Sequence, residues 1–190
     1  MVDKLTGIWT IEEAKKRHRF DASLANSIMH LFMPKSIADL GCGNGSYCKF
    51  FKDHSGCDIV HGYEGTKEIT KLGFFNDIFF LDLTKKRYSD LYYDLIISLE
   101  VGEHIPANFE QTYIDNVCEF TKNDLVISWA VPKQGGLGHF NEKPNEYVIE
   151  EFTKRGVIYN SDYTGSLRKS SSLRWFKNTV MVFHRRGNGN

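Results

Sequence analysis

The sequence has no surplus of either charge. Lysine plus arginine and aspartate plus glutamate each number 24 in 190 residues, so the net charge is formally zero. A nucleic-acid binder usually shows a basic excess, and its absence speaks against that class. Long apolar runs are also missing. No stretch of about 18 apolar residues reads as a membrane span, and the opening MVDKLTGIWTIEEAKKRH lacks the apolar core of a signal peptide. Cysteine is sparse: Cys42, Cys48, Cys57 and Cys118 make no CxxC pair and no zinc-finger spacing. Nothing demands disulfides, and a reducing, cytoplasmic setting is expected. There is no internal repeat, low-complexity block or Pro/Ser-rich linker. One domain is expected, with a helical cap over 1–34, a core over 35–186 and a frayed tail over 187–190.

What is present is alternation. A helical stretch is expected over 10–32, with Thr10 as N-cap, a break near Asp21 or Ala22, and Pro34 behind its end. Strands are expected over 36–40, 58–63, 78–81, 95–99, 125–131, 157–159 and 179–184. Helices are expected from 46 to 51, 66 to 72, 109 to 120 and 145 to 154. Strand and helix in turn predict an α/β fold with a mostly parallel sheet and helices on both faces. In such sheets ligands bind beyond the carboxyl ends of the strands.

The motifs fall at those ends. Ile37-Ala38-Asp39-Leu40-Gly41-Cys42-Gly43-Asn44-Gly45 leaves the first strand and enters a helix. Its glycines permit a tight turn and close approach of a ligand to bare backbone, beside the free N–H groups of a helix start. It is neither GxGxxG nor a P-loop. Glu64 ends the second strand, where a carboxylate can accept from both hydroxyls of a ribose. Asp82 ends the third, where it can accept from an adenine amino group while the Leu83 N–H meets a ring nitrogen. Leu99 and Glu100 end the fourth.

DLGCGNG, the acidic residue after strand two, the LDL after strand three and YDLIISLEVGEHIP together resemble class I S-adenosylmethionine-dependent methyltransferases. The likeness covers about residues 36–131. It implies a Rossmann-like, seven-stranded sheet whose last strand is antiparallel. It also implies a cofactor shell of Asp39, Gly41, Gly43, Glu64, Asp82, Leu83 and Leu99. The N-terminal helix can close such a pocket, with Trp9, Arg17, His18 and Phe20 near the methionine end. Arg17 can pair with the methionine carboxylate, or it forms a solvated basic face with Arg19.

Methyl transfer needs an aligned nucleophile and a place for its proton. If the turn after strand four is helical, Glu100, Glu103 and His104 share one face at i, i+3 and i+4. They can hold Mg²⁺ or Mn²⁺. The E-x-x-E-H spacing is similar to that of ubiquinone-pathway O-methyltransferases, where it is a metal site. Two other readings stand beside it: His104 as a base without metal, or as a structural residue. The loop 129–141 is the second candidate. Its three glycines suggest a mobile lid. Lys133, Gln134, His139 and Asn141 suit a polyhydroxylated acceptor, Trp129 offers a face for a sugar ring, and His139 is a candidate catalytic residue. This loop and the segment behind it resemble small viral and bacterial methyltransferases, some linked to glycans. Tyr163, Arg168, Arg174 and Trp175 are expected near the acceptor, and 167–173 is expected to be exposed. The expected activity is O-methylation of a hydroxyl of a small polar acceptor, with a sugar or glycan as the expected class. RNA or protein methylation, or an inactive cofactor-binding subunit, are the alternatives.

Overall fold

The computed structural model describes residues 2–72 and 74–185; the expected tail over 187–190 lies outside them. Seven strands form one sheet: β1 (Ser36–Leu40), β2 (Ile59–Glu64), β3 (Ile78–Phe80), β4 (Tyr93–Leu99), β5 (Thr121–Ser128), β6 (Val157–Tyr159) and β7 (Val180–Arg185). Their order is β3-β2-β1-β4-β5-β7-β6. The pairs from β3 to β5 are parallel, and β7 runs antiparallel to both β5 and β6. The expected sheet, with its antiparallel last strand, is the one observed. Among the described residues no helix is long and apolar enough to cross a membrane, and all four cysteines are buried free thiols.

The two-residue strand period builds a core on each face. Ile37, Leu95, Ile97, Val126, Val180 and Val182 point to one side. There they meet α2 (Ala22–Phe32), α3 (Ser46–His54), α6 (Ser161–Ser170) and α7 (Phe176–Thr179). Ala38, Leu40, Ile96, Leu125, Ile127, Met181 and Phe183 point to the other side. There they meet α4 (Glu110–Phe120) and α5 (Asn145–Thr153). Each large aliphatic side chain so buried contributes about 1.5–3 kcal/mol. α2 gives Leu24, Ala25 and Ile28 to the core, so the covering segment proper is residues 2–20, with α1 (Ile11–Arg17) in it.

Local expectations hold at the N-terminus. Thr10 accepts the Glu13 N–H as N-cap of α1, and the helix breaks before Asp21, which caps α2. Several boundaries are corrected. The helix expected over 66–72 is a single 3-10 turn, Ile69–Leu72. β5 begins at Thr121 and ends at Ser128, because Trp129 leaves the sheet for the core. α6 was not legible: only Thr164 and Leu167 on it are buried, too few for a helical stripe. The segment 167–173, expected to be exposed, instead buries Leu167 and Ser171.

Ser171 is buried because Asp21 needs it. Asp21 is fully buried. Its Oδ2 accepts from Ser171 Oγ at 2.6 Å, Ser172 N at 2.8 Å and Leu173 N at 2.9 Å, while Oδ1 accepts from Leu24 N at 3.0 Å. Burial pushes the carboxyl upward, but these donors outweigh it and the pKa is lowered. Asp21 thus ties the start of α2 to the segment entering α7. Asp21→Ala leaves three backbone donors without this partner and is expected to cost about 2–4 kcal/mol in denaturant titrations. Because the folded pKa lies below the unfolded one, the wild-type advantage is present above the unfolded value near 3.8. It fades as pH falls through the lower folded pKa.

Candidate active site

The carboxyl ends of β1, β2, β3 and β4 open into one cavity of about 420 Å³. This lies within the usual range of roughly 300–1,000 Å³ for small-molecule sites. Asp39, Gly41, Gly43, Glu64, Asp82, Leu83 and Leu99 all line it, as does Arg17. The parallel sheet brings them together because each strand ends on the same edge.

The glycines are required here. Gly41 has φ +83°, and a Cβ on it would stand 2.5 Å from Val101 Cγ2. Gly43 has φ +54°, and a Cβ on it would stand 2.2 Å from His18 Nδ1. Glu64 bridges the turn: Oε2 accepts from Gly43 N and Oε1 from Thr66 N, both at 2.9 Å. Burial raises its pKa. Asp39 lies buried beside it, raised to about 7 by burial first and by the Glu64 charge second. Asp82 is engaged within its own turn. Its Oδ1 accepts from Thr84 N and Oγ1, and Lys85 Nζ stands 3.3 Å from Oδ2. Leu83 lines the cavity, and its N–H has no partner among the described residues. The Arg17 guanidinium pairs with Glu13 at 2.6 Å.

Residues 2–20 cover this edge. Thr66 Oγ1 donates to Trp9 O at 2.8 Å. Gly7 and Gly138 pack so closely that a Cβ would meet His104 O at 2.0 Å and Val2 Cγ2 at 2.9 Å.

Beyond β4 the chemistry changes. The expected helical face of Glu100, Glu103 and His104 is corrected. Glu100 has φ +55°, and the turn is a 3-10 turn over Gly102–His104. The Glu100 carboxylate accepts from Ser128 Oγ and Gln134 Nε2, both at 2.8 Å. The groups that converge are Glu103, His104 and His139, one ligating atom of each lying within 4.8 Å of the others. Sequence spacing misses His139 as their companion, because it arrives from a loop 35 positions on.

Glu103 is fully buried, and neither carboxylate oxygen has a hydrogen-bond partner among the described residues. Burial and the Glu100 charge raise its pKa. His104 Nδ1 lies 2.9 Å from Gly138 O, so it carries the proton and donates. The Trp9 Nε1–H, 3.4 Å from the same nitrogen, then meets a ring edge rather than a lone pair. Burial pushes His104 down to about 4. His139 Nδ1–H donates to Glu142 Oε1 at 3.2 Å. Both rings therefore keep Nε2 for another partner.

The loop 129–141 is pinned rather than free. Phe140 N and Asn141 N donate to Glu103 O, and Lys133 N and Gly135 N to Glu142. Its glycines serve positive φ at Gly135 and Gly138. Trp129 is fully buried, donates Nε1–H to Asn141 O and packs on Tyr113. It offers no face to a ligand. Asn141 is also buried, donating to Glu110. Of Tyr163, Arg168, Arg174 and Trp175, only Trp175 lines the cavity. Tyr163 packs on Phe32 and His184, and Arg168 donates to Val180 O.

No protein-family model matches this sequence, and no curated protein matches it. Solved structures do. Magnesium protoporphyrin IX methyltransferase of Synechocystis, with bound S-adenosylmethionine, superposes with a TM-score of 0.60 at 17% identity, covering 93% of this chain and 79% of that one. The 1,6-didemethyltoxoflavin-N1-methyltransferase of Burkholderia thailandensis gives 0.64 at 14% identity, covering 92% and 83%. The N-methyltransferase NodS of Bradyrhizobium japonicum gives 0.61 at 15%, covering 85% and 83%. The chain has the fold of class I S-adenosylmethionine-dependent methyltransferases.

The buried Asp39 has a measurable consequence. Its folded pKa of about 7 lies above the ordinary aspartate value of 3.8, so its contribution to stability falls as pH rises between those values and is flat above. Asp39→Asn removes the titration. Relative to wild type, the variant is expected to gain stability from pH 4 to pH 7, by roughly 2–4 kcal/mol, with no further gain above. Denaturant titrations across that range check it.

Proposed function

We propose that this protein is an S-adenosylmethionine-dependent methyltransferase acting on a hydroxyl of a small polar acceptor, with sugars as the favoured class. The observation that carries the first part is the cavity itself. It unites the Gly41–Gly43 turn, Glu64 and the free Leu83 N–H on one side with the His104 group on the other. In this reading Glu64 accepts from the ribose hydroxyls and Leu83 N–H donates to an adenine ring nitrogen. Asp82 rims the base, Leu99 walls it, and Asp39 faces the amino-acid tail. Arg17, on the covering segment, also lines the cavity.

Support for a hydroxyl acceptor lies at the far end of the cavity. A hydroxyl is a poor nucleophile until its proton leaves. His104 presents Nε2 there, with its Nδ1–H fixed on Gly138 O, the posture of a general base. Gln134 and His139 add polar groups, and Trp175 supplies the aromatic face that the buried Trp129 cannot.

The same end fits a divalent ion. Glu103 is a buried carboxylate without partners, and the rings of His104 and His139 are oriented by hydrogen bonds from their other nitrogens. Glu103, His104 and His139 are the proposed ligands, with Glu100 beside them. Two imidazoles and one carboxylate suit Mn²⁺ or another transition ion better than Mg²⁺, which prefers oxygen. When bound, such an ion lowers the pKa of a coordinated hydroxyl. His104 Nε2 cannot be ligand and base together.

Calorimetry with S-adenosylhomocysteine is expected to show binding, weakened in Glu64→Ala by about 1.5–3 kcal/mol. A wild-type protein that binds nothing ends the methyltransferase reading. On a panel of sugars and other hydroxylated acceptors, His104→Ala is expected to lose turnover while retaining homocysteine-nucleoside affinity. Chelation then separates the two roles. Activity lost with chelator and restored by Mn²⁺ supports the ion; activity that survives exhaustive chelation rejects it and leaves His104 as the base.

A further inference from the structure

The two faces of the sheet are not covered alike. The crossing from β3 to β4, residues 81–92, passes β2 and β1 without a helix. Parallel strands are usually joined through one. Asn116 of α4 holds the crossing. Its Nδ2 donates to Leu83 O and Lys85 O at 3.0 and 2.9 Å, and its Oδ1 accepts from Arg87 N at 2.9 Å. The crossing therefore runs on the α4 side. There α4 and α5 cover the middle of the sheet, but among the described residues no helix lies between β3 and β4 to cover β2 and β3. α4 ends against them at Phe120, whose ring packs on Tyr63 and Tyr93.

Apolar side chains lie open on this bare part. The strand period sends Ile59, His61 and Tyr63 of β2 and Phe79 of β3 to one side. Ile59 and Phe79 are exposed, and His61 and Tyr63 are half-buried. The rings are held in place. His61 Nδ1 and Tyr63 OH each stand 2.7 Å from Tyr93 OH, and the Phe79 ring packs on His61 at 5.0 Å and on Tyr63 at 5.7 Å. Such rings have little freedom left to lose when a partner covers them. Phe79 is 46% exposed, and Tyr88 and Tyr92 of the crossing are 81% and 55% exposed. At roughly 200 Å² for a whole aromatic side chain, the open parts of these three come to roughly 350 Å². That is the scale at which an exposed apolar patch marks an interaction site. It is nearly half of the roughly 800 Å² that each partner gives a stable interface, and a polar rim supplies the rest.

The rim says what the partner is. Lys86 and Arg87 adjoin Tyr88, Asp77 precedes β3, and Asp90 lies between Tyr88 and Tyr92. All four are exposed. None belongs to an ion pair among the described residues. A nucleic acid would call for a basic surplus, and a strongly charged protein for a surplus of the opposite sign. Two cations and two acids around an apolar centre are instead complementary to themselves. Across a two-fold axis the cations of one copy can face the acids of the other.

We infer that a second copy of this chain covers this face. The protein is a homodimer joined through β2, β3 and the β3–β4 crossing, with Phe79 at the centre. None of Ile59, His61, Tyr63, Phe79, Tyr88 and Tyr92 lines the cavity, so the inference stands apart from the proposed function.

Sedimentation equilibrium of the full chain over a concentration series tests it. Wild type is expected to pass from monomer to dimer. Phe79→Glu is expected to weaken self-association by about tenfold or more, the scale of a central aromatic anchor. Phe79 also packs on two rings of its own chain, so Tyr88→Glu is the second variant. Its side chain stands in solvent, and the variant is expected to weaken the dimer while the circular dichroism spectrum stays that of wild type. Ile158→Glu, on β6 at the opposite edge of the sheet, is expected to change nothing. A wild type that stays monomeric overturns the inference and leaves the face to a different protein. A dimer indifferent to both Phe79→Glu and Tyr88→Glu overturns it too. So does a dimer that Ile158→Glu dissociates in their place, which moves the contact to the other edge.

Discussion

One carbonyl sets the geometry of the candidate site. Tyr63 O, near the end of β2, accepts the N–H groups of both Gly41 and Cys42, at 2.8 and 3.1 Å. That pair of hydrogen bonds turns the chain off β1 and lays the glycine turn against the end of β2. Only then can Glu64 accept the Gly43 N–H, and only a residue without Cβ can lie under Val101 at Gly41. The turn is tight because two backbone donors share one acceptor, and the cavity exists because the turn is tight.

That closeness has an electrostatic cost. It places Asp39 and Glu64 together in a buried setting where neither ionises easily. A second such pair joins Glu100, which lines the same cavity, to the fully buried Glu103. Folded proteins seldom keep such groups without use, since each could be replaced by an apolar or amide side chain at a gain in stability. Glu100 also holds a left-handed backbone, with φ +55°. This is a conformation that a non-glycine residue adopts at a cost.

Around this site the rest of the chain supplies anchorage. Asp21 fastens the N-terminal segment to the strand-side loop before α7. Glu110 gathers Asn141, Lys143 and Tyr147 to hold the loop that delivers His139. Both are buried acids satisfied by several donors, and neither faces the cavity. They explain why a loop rich in glycine, which reads as mobile, is fixed: its glycines provide dihedral angles rather than freedom.

The sequence by itself determined the sheet and the residues at its carboxyl edge. Apolar strand runs separated by helical segments demand a covered parallel sheet, and a parallel sheet sends Asp39, Gly41, Glu64, Asp82 and Leu99 to one rim whatever the details of packing. These residues sit within a strand's reach of their own motif, so local pattern locates them. Tertiary structure alone decided the rest. Trp129 reads as a platform but fills the core, because Gly102 leaves room for its ring. Arg17 reads as a carboxylate partner, and the fold sets it at the cavity while pairing it with Glu13 one helical turn away. His139 joins Glu103 and His104, and Ser171 joins Asp21, across 35 and 150 positions of chain. No periodicity encodes such pairings. They arise when buried polar groups, unable to reach water, must find whatever partner the fold brings near.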